Sequence, residues 1–317
     1  MPISPRTPES ASADEILRRL EWTVLRRLDG LLQGDYRTLF RGSGLDLADL
    51  REYQHHDDVR YIDWNVTARL QTPYVREYNE ARELAAWLLL DLSGSIDFGS
   101  QQITKHSLAR DFCAVLARLL TRRGNRVGAI LYGAGIEAIV PARGGRTQVL
   151  QILHRIATRP PAPRSPGTDL GALFAAAQRT MARRSLGFVV SDFLALPGWE
   201  PALGRLAQRH EIVAVRLSDP LERALPDLGL LLMQDAETGE QLFVDTHDRA
   251  LRRRFEQAAG RRERVLREGL ARAGVDALEL STDEDLVDAI LRFAELRAQR
   301  SRLAAGGGLP ARTGAPR

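Results

Sequence analysis

The chain has 317 residues, a formal net charge of +4, and 44% hydrophobic and 27% charged residues. This length allows one large domain or two smaller ones, and the composition is ordinary for a globular protein with its own core. The single cysteine, Cys113, excludes an internal disulfide framework and favours a reducing compartment.

The same properties bear on location and on partners. Met1 to Asp14 contains no apolar segment of a secretory signal, and no apolar run approaches the ~18 residues of a membrane-spanning helix. We therefore expect a cytoplasmic protein without a transmembrane segment. Apart from Lys105 every basic residue is Arg, and the Arg residues are scattered among acids without interleaved aromatics, so no nucleic-acid partner is expected.

The beginning of the chain divides into two parts. Residues 1–13 are rich in Pro and Ser and are predicted to be disordered. Residues 14–80 are predicted to form a separate N-terminal segment that opens with a helix from Ile16 to Leu32. Its apolar residues recur at helical spacing: Leu17, Leu20, Val24, Leu28 and Leu31.

A block dense in charges and aromatics follows that helix, ahead of a predicted short strand from Tyr74 to Tyr78. The block resembles the signature of the bacterial Domain of Unknown Function 58 family, Arg-x-Tyr-x-Pro-Gly-Asp-Asp-x-Arg-x-Ile-Asp-Trp and then Ala-Arg. The matching residues are Arg51, Tyr53, Asp57, Asp58, Arg60, Ile62, Asp63, Trp64, Ala68 and Arg69. With further matches between Asp219 and Asp245, the resemblance covers about residues 30–295.

The signature block departs from the family pattern at one point, because His55 and His56 replace the Pro-Gly pair. A metal site at these histidines and the two following acids is disfavoured, since adjacent residues rarely face one ion. We expect instead that Asp57, Arg60, Asp63 and Arg69 form a polar network that holds the block on the rest of the protein.

The most informative stretch begins at Leu84, where an unbroken apolar run of seven residues ends at Asp91. Such a run is typical of a strand buried on both faces, and ligands bind at the carboxyl ends of strands in parallel sheets. Asp91, Ser93 and Ser95 supply one carboxylate and two hydroxyls at alternate positions. These oxygens suit Mg²⁺, Mn²⁺ or Ca²⁺.

Two later residues complete a known pattern. Thr168 lies in a loop before a predicted helix, and Asp192 follows a second apolar run, Leu186 to Ser191. Asp-x-Ser-x-Ser, a later Thr and a later Asp resemble the metal-ion-dependent adhesion site of von Willebrand factor A domains. The alternative is that Asp91, Ser93 and Ser95 only cap a turn and the next helix.

Strands alternate with helices from residue 81 to residue 300, with a hairpin insertion near 219–247, and residues 301–317 are predicted to be a disordered tail. The pattern predicts an α/β fold. The expected sheet is mostly parallel with helices on both faces, von Willebrand A-like or Rossmann-like, and a small N-terminal helix and strand segment is added to it.

The resemblance implies a binding protein rather than an enzyme, in which a divalent ion captures a partner's carboxylate. Family members commonly occur beside MoxR-type AAA+ ATPases, which implies such a partner and an adaptor or chaperone-like role. The alternatives are a metal-dependent phosphotransfer enzyme with Asp91 as nucleophile, or a passive scaffold whose ion is structural or absent. Phosphotransfer enzymes of that type have a second acid two residues after the nucleophile, and this chain has Ser93 at that position.

Overall fold

The computed structural model describes residues 12–31, 49–54, 62, 64–77, 85–100, 103–160, 165, 167–235 and 238–306. The chain divides into two compact units, one of residues 1–39 and 85–317 and the other of residues 40–84. The helical segment near the N-terminus therefore belongs with the α/β unit and not, as predicted, with the signature block. Its apolar residues Leu17 and Leu28 are fully buried there.

The smaller unit contains a two-stranded antiparallel sheet and one helix in its described part. Strand β1 (Asp49–Glu52) pairs with β2 (Tyr74–Glu77), and α3 (Trp64–Leu70) lies between them in the chain. The amide of Tyr74 donates to Thr67 Oγ1 at 3.0 Å and so joins the helix to β2.

Part of the signature block falls outside the described residues: His55, His56, Asp57, Asp58, Arg60 and Asp63. The predicted polar network therefore remains a prediction. Tyr53 continues from β1, and its amide donates to the carbonyl of Pro73 at 2.8 Å. Trp64 and Arg69 lie on α3.

The described residues of the larger unit form a six-stranded sheet in the order β10-β7-β6-β3-β4-β5. Every neighbouring pair is parallel except β4 and β5, which are antiparallel. The mostly parallel α/β sheet predicted from the sequence is thereby confirmed. The strands are β3 (Ala85–Asp91), β4 (Arg126–Tyr132), β5 (Ile136–Arg143), β6 (Leu186–Ser191), β7 (Glu211–Ser218) and β10 (Asp276–Ser281).

Helices pack on both faces of this sheet. On one face α1, α4 and α5 contact one another, and on the other α6, α7 and α8 pack in succession. Residues of β3, β4, β6 and β7 are almost all buried, which explains their unbroken apolar runs. The helices are α1 (Ala13–Leu20), α2 (Arg26–Leu31), α4 (Lys105–Arg122), α5 (Arg146–Ala157), α6 (Leu170–Thr180), α7 (Glu200–Arg209), α8 (Arg249–Arg272) and α9 (Leu286–Gly306).

Two helices differ from the sequence-based expectation. The helix predicted from Ile16 is interrupted by a π-helical turn, Glu21–Leu25, between α1 and α2. The last helix, which the sequence predicts from Asp283 to Gln299, begins later than Asp283, because Asp285 accepts the amides of Val287 and Asp288 as a cap. It then continues to Gly306, so a disordered tail from residue 301 is wrong for its first six residues.

Between β7 and α8 the chain forms the expected hairpin, in which β8 (Leu230–Gln234) pairs antiparallel with β9 (Gln241–Asp245). Cys113 is a buried free thiol on α4, as its apolar surroundings in the sequence indicate. Across the part of the chain that the structure describes, no helix combines the length and the apolarity that crossing a membrane requires.

Candidate metal centre

Three neighbouring parallel strands of the sheet are each completed by an acid at the same edge. Asp91 is the last residue of β3, Asp192 follows β6, and Asp219 follows β7. Because the sheet order is β7-β6-β3, the three carboxyl ends lie side by side. The chain leaves β3 towards β4 on one side and later returns to β6 on the other, so this edge is a topological switch point, where ligands bind in open α/β sheets.

Asp91 is held by two neutral donors. Its Oδ1 accepts the backbone amide of Ser93 at 3.0 Å, and its Oδ2 accepts the hydroxyl of Ser191 at 2.6 Å. Ser191 also accepts the amide of Phe193 through its Oγ at 2.9 Å. The Asp91 side chain is thus fixed between the turn after β3 and the end of β6.

Ser93 and Ser95 lie in the turn that follows Asp91. Their Oγ atoms are 3.3 Å apart, and both residues are buried. Ser95 belongs to a short 3₁₀ helix, Gly94–Asp97, which turns the chain sharply at the strand end. The alternate spacing predicted from the sequence therefore places both hydroxyls together beside Asp91.

Thr168 and Asp192 are brought to the same edge by a backbone connection. Thr168 forms an isolated parallel bridge with Ala195, and its carbonyl accepts the amide of Leu196 at 2.9 Å. Thr168 is buried beside the segment that follows Asp192. The next residue, Asp169, caps α6, and its amide donates to the hydroxyl of Tyr132 at the end of β4.

The electrostatics of this edge are unfavourable for the ionised form of Asp91. Complete burial, together with the negative charge of Asp192, raises the pKa of Asp91 from 3.8 to about 6. The hydrogen bonds from Ser191 and Ser93 favour the carboxylate but do not offset burial. A cation placed beside Asp91 would remove this penalty.

Lys105, the first residue of α4, supplies the positive charge nearest to Asp192 among the described contacts. Its Nζ donates to Asp192 Oδ2 at 2.6 Å and to Glu222 Oε1 at 2.5 Å, and its side chain is fully buried. Burial alone would lower the pKa of Lys105, but the carboxylates of Asp192 and Glu222 outweigh it and raise the pKa. The lysine is therefore charged in the folded protein.

Asp219 ties the turn that carries the two serines to the neighbouring strands. Its Oδ2 accepts the amide and the hydroxyl of Ser100, both at 2.9 Å, and the hydroxyl of Thr282 at 2.6 Å. Burial would raise the pKa of Asp219, but the hydrogen bonds from Thr282, Ser100 and Leu221 hold it below its usual value. Asp219 is thus a structural carboxylate with its bonds satisfied.

The donor set at this edge fits a hard divalent cation. The described residues contain no cluster of three or more His, Cys, Asp or Glu side chains suited to a metal. The available ligands are instead two carboxylates and three hydroxyls, of Asp91, Asp192, Ser93, Ser95 and Thr168, which are oxygen donors of the kind Mg²⁺ and Ca²⁺ prefer. Asp91 is the carboxylate whose charge gains most from an ion.

Four further residues of this edge were not assigned to the site from the sequence: Ser191, Lys105, Asp219 and Glu222. Two signals were available. Asp219 follows an apolar strand just as Asp91 and Asp192 do, and Lys105 is the single lysine of a chain with 45 basic residues. Ser191 carries no such signal, because it reads as the last residue of a strand.

A family model described as "Protein of unknown function DUF58" matches residues 49–265 of the chain. Uncharacterized protein Rv1480 of Mycobacterium tuberculosis is 39% identical over 292 residues, which cover 92% of this chain and 90% of the relative. Uncharacterized protein Mb1516 of Mycobacterium bovis matches to the same extent.

The chain is also similar to solved structures, at lower sequence identity. The conserved hypothetical protein BatB of Bacteroides thetaiotaomicron is 14% identical, with a TM-score of 0.43, and covers 68% of this chain and 99% of its own. An aerotolerance-related membrane protein of Bacteroides fragilis is also 14% identical, with the same shares of both chains and a TM-score of 0.46.

Proposed function

We propose a function for this chain, which belongs to the DUF58 family of proteins of unknown function. In this proposal the edge of the sheet at Asp91 binds a divalent cation and uses it to hold a carboxylate of a partner protein. The observation that carries the proposal is the burial of Asp91 beside Asp192 among hydroxyl groups, with the pKa of Asp91 raised to about 6. Mg²⁺ is the first candidate, with Mn²⁺ and Ca²⁺ as alternatives.

The order of the ligands supports the comparison with the metal-ion-dependent adhesion site of von Willebrand factor A domains. Asp91, Ser93 and Ser95 would form the main cage, Thr168 would be a ligand from a second loop, and Asp192 would act directly or through water. Hydroxyls are neutral, so an ion held mainly by them keeps net positive charge. That ion would act as a Lewis acid towards a partner's carboxylate.

The family resemblance suggests a MoxR-type AAA+ ATPase as the partner. The chain would then act as an adaptor or chaperone-like module, and it would not itself carry out a chemical reaction. A phosphotransfer enzyme remains the rival, and it requires a second acid where Ser93 stands.

The test is binding of the purified MoxR-type ATPase from the same organism to immobilised protein, with Mg²⁺ and with EDTA. Wild type is compared with Asp91→Ala, and with Asp248→Asn as the control, because Asp248 only caps the exposed start of α8. We expect wild type and the control variant to bind the ATPase in Mg²⁺ and not in EDTA. Binding that ignores both EDTA and Asp91 would contradict the proposal and favour a passive scaffold.

The same preparations serve for the rival function. Release of phosphate from an aryl phosphate by wild type in Mg²⁺, abolished in Asp91→Ala, would favour the phosphotransfer enzyme. The binding proposal predicts that both proteins leave the aryl phosphate intact.

A further inference from the structure

Lys105 is the chain's only lysine, and it is buried at the candidate metal centre. Its backbone is fixed at the start of α4, where its amide donates to the carbonyl of Phe98 at 2.9 Å. Thr104, the preceding residue, caps the helix and forms a capping box with Ser107. The position of the ammonium group is therefore set by the turn that leads out of the metal-binding loop.

The two acids of the centre differ in what compensates their charge. Asp91 receives hydrogen bonds from an amide and a hydroxyl, which are neutral. Asp192 receives the amide of Leu194 at 2.9 Å on Oδ1 and the ammonium of Lys105 at 2.6 Å on Oδ2. Among the described contacts of these two acids, Asp192 is therefore the one that is paired with a full positive charge.

Glu222 keeps the lysine in this place. Its Oε1 accepts from Lys105, and its Oε2 accepts the amide of Asp219 at 3.0 Å, which closes a capping box on the short helix Pro220–Glu222. Asp219 in turn is bonded to Ser100. The ammonium is therefore anchored from α4 on one side and from the end of β7 on the other.

Resting on the proposed function, we propose that Lys105 is a positioning residue that keeps Asp192 out of the direct coordination shell of the ion. Asp192 remains paired with the ammonium and reaches the ion through water. The direct protein ligands are then one carboxylate, Asp91, and hydroxyls. A divalent ion with one direct carboxylate retains a net charge of about +1, which selects an anionic carboxylate over neutral ligands.

A compact ammonium suits this role better than a guanidinium. The planar fork of Arg binds a carboxylate through two parallel hydrogen bonds, whereas Lys presents a point charge that two separate carboxylates can share. In a chain whose other basic residues are all Arg, a Lys at this position matches that need.

Mn²⁺ is the probe for the test, because its affinity and its number of bound waters can both be measured by water-proton relaxation. In Lys105→Met, Asp192 is free to bind the ion directly. We expect the Mn²⁺ affinity to rise at least tenfold and the bound ion to lose one water relative to wild type.

The charge-matched control is Lys105→Met combined with Glu222→Gln, which removes one positive and one negative charge. The loss of one water is expected to persist in this double variant. A gain in affinity that disappears in the double variant, with the water count unchanged in both, reflects charge alone and overturns the proposal.

A second measurement uses the wild-type protein, so it does not depend on whether a variant folds. Because the chain has one lysine, ¹⁵N-lysine labelling yields a single side-chain ammonium signal. We expect this signal to keep its shift and slow exchange when Mg²⁺ is added. A large shift with fast exchange would mean that Asp192 leaves Lys105 for the ion, which overturns the inference but not the proposed function; no binding of Mn²⁺ by wild type overturns both.

Discussion

Asp91 is the buried last residue of the central strand β3, and its ionisation opposes folding. Its folded-state pKa of about 6 exceeds the unfolded value of 3.8, so the folded state binds the proton more tightly. Ionising Asp91 therefore costs stability progressively as the pH rises from about 4 to about 6, and the full cost persists above that range.

We predict that Asp91→Asn stabilises the metal-free protein above pH 6 and has little effect below pH 4. A shift of this size corresponds to at most about 3 kcal/mol in the free energy of unfolding. Urea unfolding in EDTA at several pH values measures it. Asp248→Asn, in which one good capping residue replaces another, should change little at any pH; destabilisation by Asp91→Asn at pH 8 would contradict the account.

Asp219 has the opposite character, because its hydrogen bonds lower its pKa. Its contribution to stability is present at neutral pH and is lost as the pH falls below the usual aspartate range. We predict that Asp219→Ala lowers the free energy of unfolding by about 3 kcal/mol or more, since several buried donors lose their acceptor.

Asp219→Asn is the matched comparison, because it retains one acceptor oxygen for these donors. It should lose less stability than Asp219→Ala in the same urea titration. Equal losses in the two variants would show that the acceptor bonds to Ser100 and Thr282 contribute little.

At the level of elements, the packing of β3 against β4 depends on a glycine of β4 that lies opposite a tryptophan of β3. Gly128 pairs with Trp87, and a Cβ on Gly128 would lie 2.7 Å from Trp87 Cζ3 and 2.9 Å from the Val140 carbonyl oxygen. Such a contact is too short for any real side chain. The indole ring of Trp87 thus occupies the space that a side chain at 128 would fill.

We predict that Gly128→Ala destabilises the fold by about 1–3 kcal/mol through overpacking. Gly204→Ala is the control, because Gly204 lies on α7 and an added Cβ would meet nothing within 4 Å. That change should stabilise the protein by up to about 1 kcal/mol through helix propensity. Chemical denaturation of both variants tests the difference in sign.

The sequence predicts an element well when the element is buried along its whole length. It predicts the bounds of an element less well when a local contact, such as a helix cap, determines them. Strands β3 and β6 follow directly from apolar runs that end at Asp91 and Ser191, because a strand buried on both faces contains few polar residues. The π-helical turn near Val24 preserves the apolar stripe, so spacing alone does not reveal it. The start of α9 depends on the cap at Asp285, which a helical pattern does not locate.

On the scale of the whole molecule, the least predictable contacts join distant parts of the chain. The acids after the strands could be placed at one edge from the parallel order of the sheet. The pairing of Lys105 with Glu222, 117 residues later, could not, because it depends on how α4 and the end of β7 pack in three dimensions. The clustering of the candidate site residues at these strand ends was thus predictable from the sequence, and the ammonium that lies beside them was not.

Cys113 provides a probe of the whole fold, because it is the single cysteine and lies fully buried on α4. Burial raises the pKa of its thiol above the usual value, so the native state is unreactive towards thiol reagents. Labelling of Cys113 therefore requires the protein to open.

We predict that Mg²⁺ slows this labelling. An ion at about 100 times its dissociation constant stabilises the folded state by about 2.7 kcal/mol, which corresponds to roughly 100-fold slower labelling when opening is a rapid pre-equilibrium. Asp91→Asn should show no such protection. Equal labelling rates with and without Mg²⁺ in wild type would mean that ion binding is not coupled to the fold.

Calorimetric titration of Mg²⁺ and of Mn²⁺ into wild type and Asp91→Ala measures directly whether this edge of the sheet binds an ion. We predict one ion per chain in wild type, with an affinity that weakens below about pH 6 because a proton competes for Asp91. We predict no binding in Asp91→Ala at the same concentrations. Absence of binding in wild type, or unchanged binding in the variant, would contradict the assignment of this edge as a metal centre.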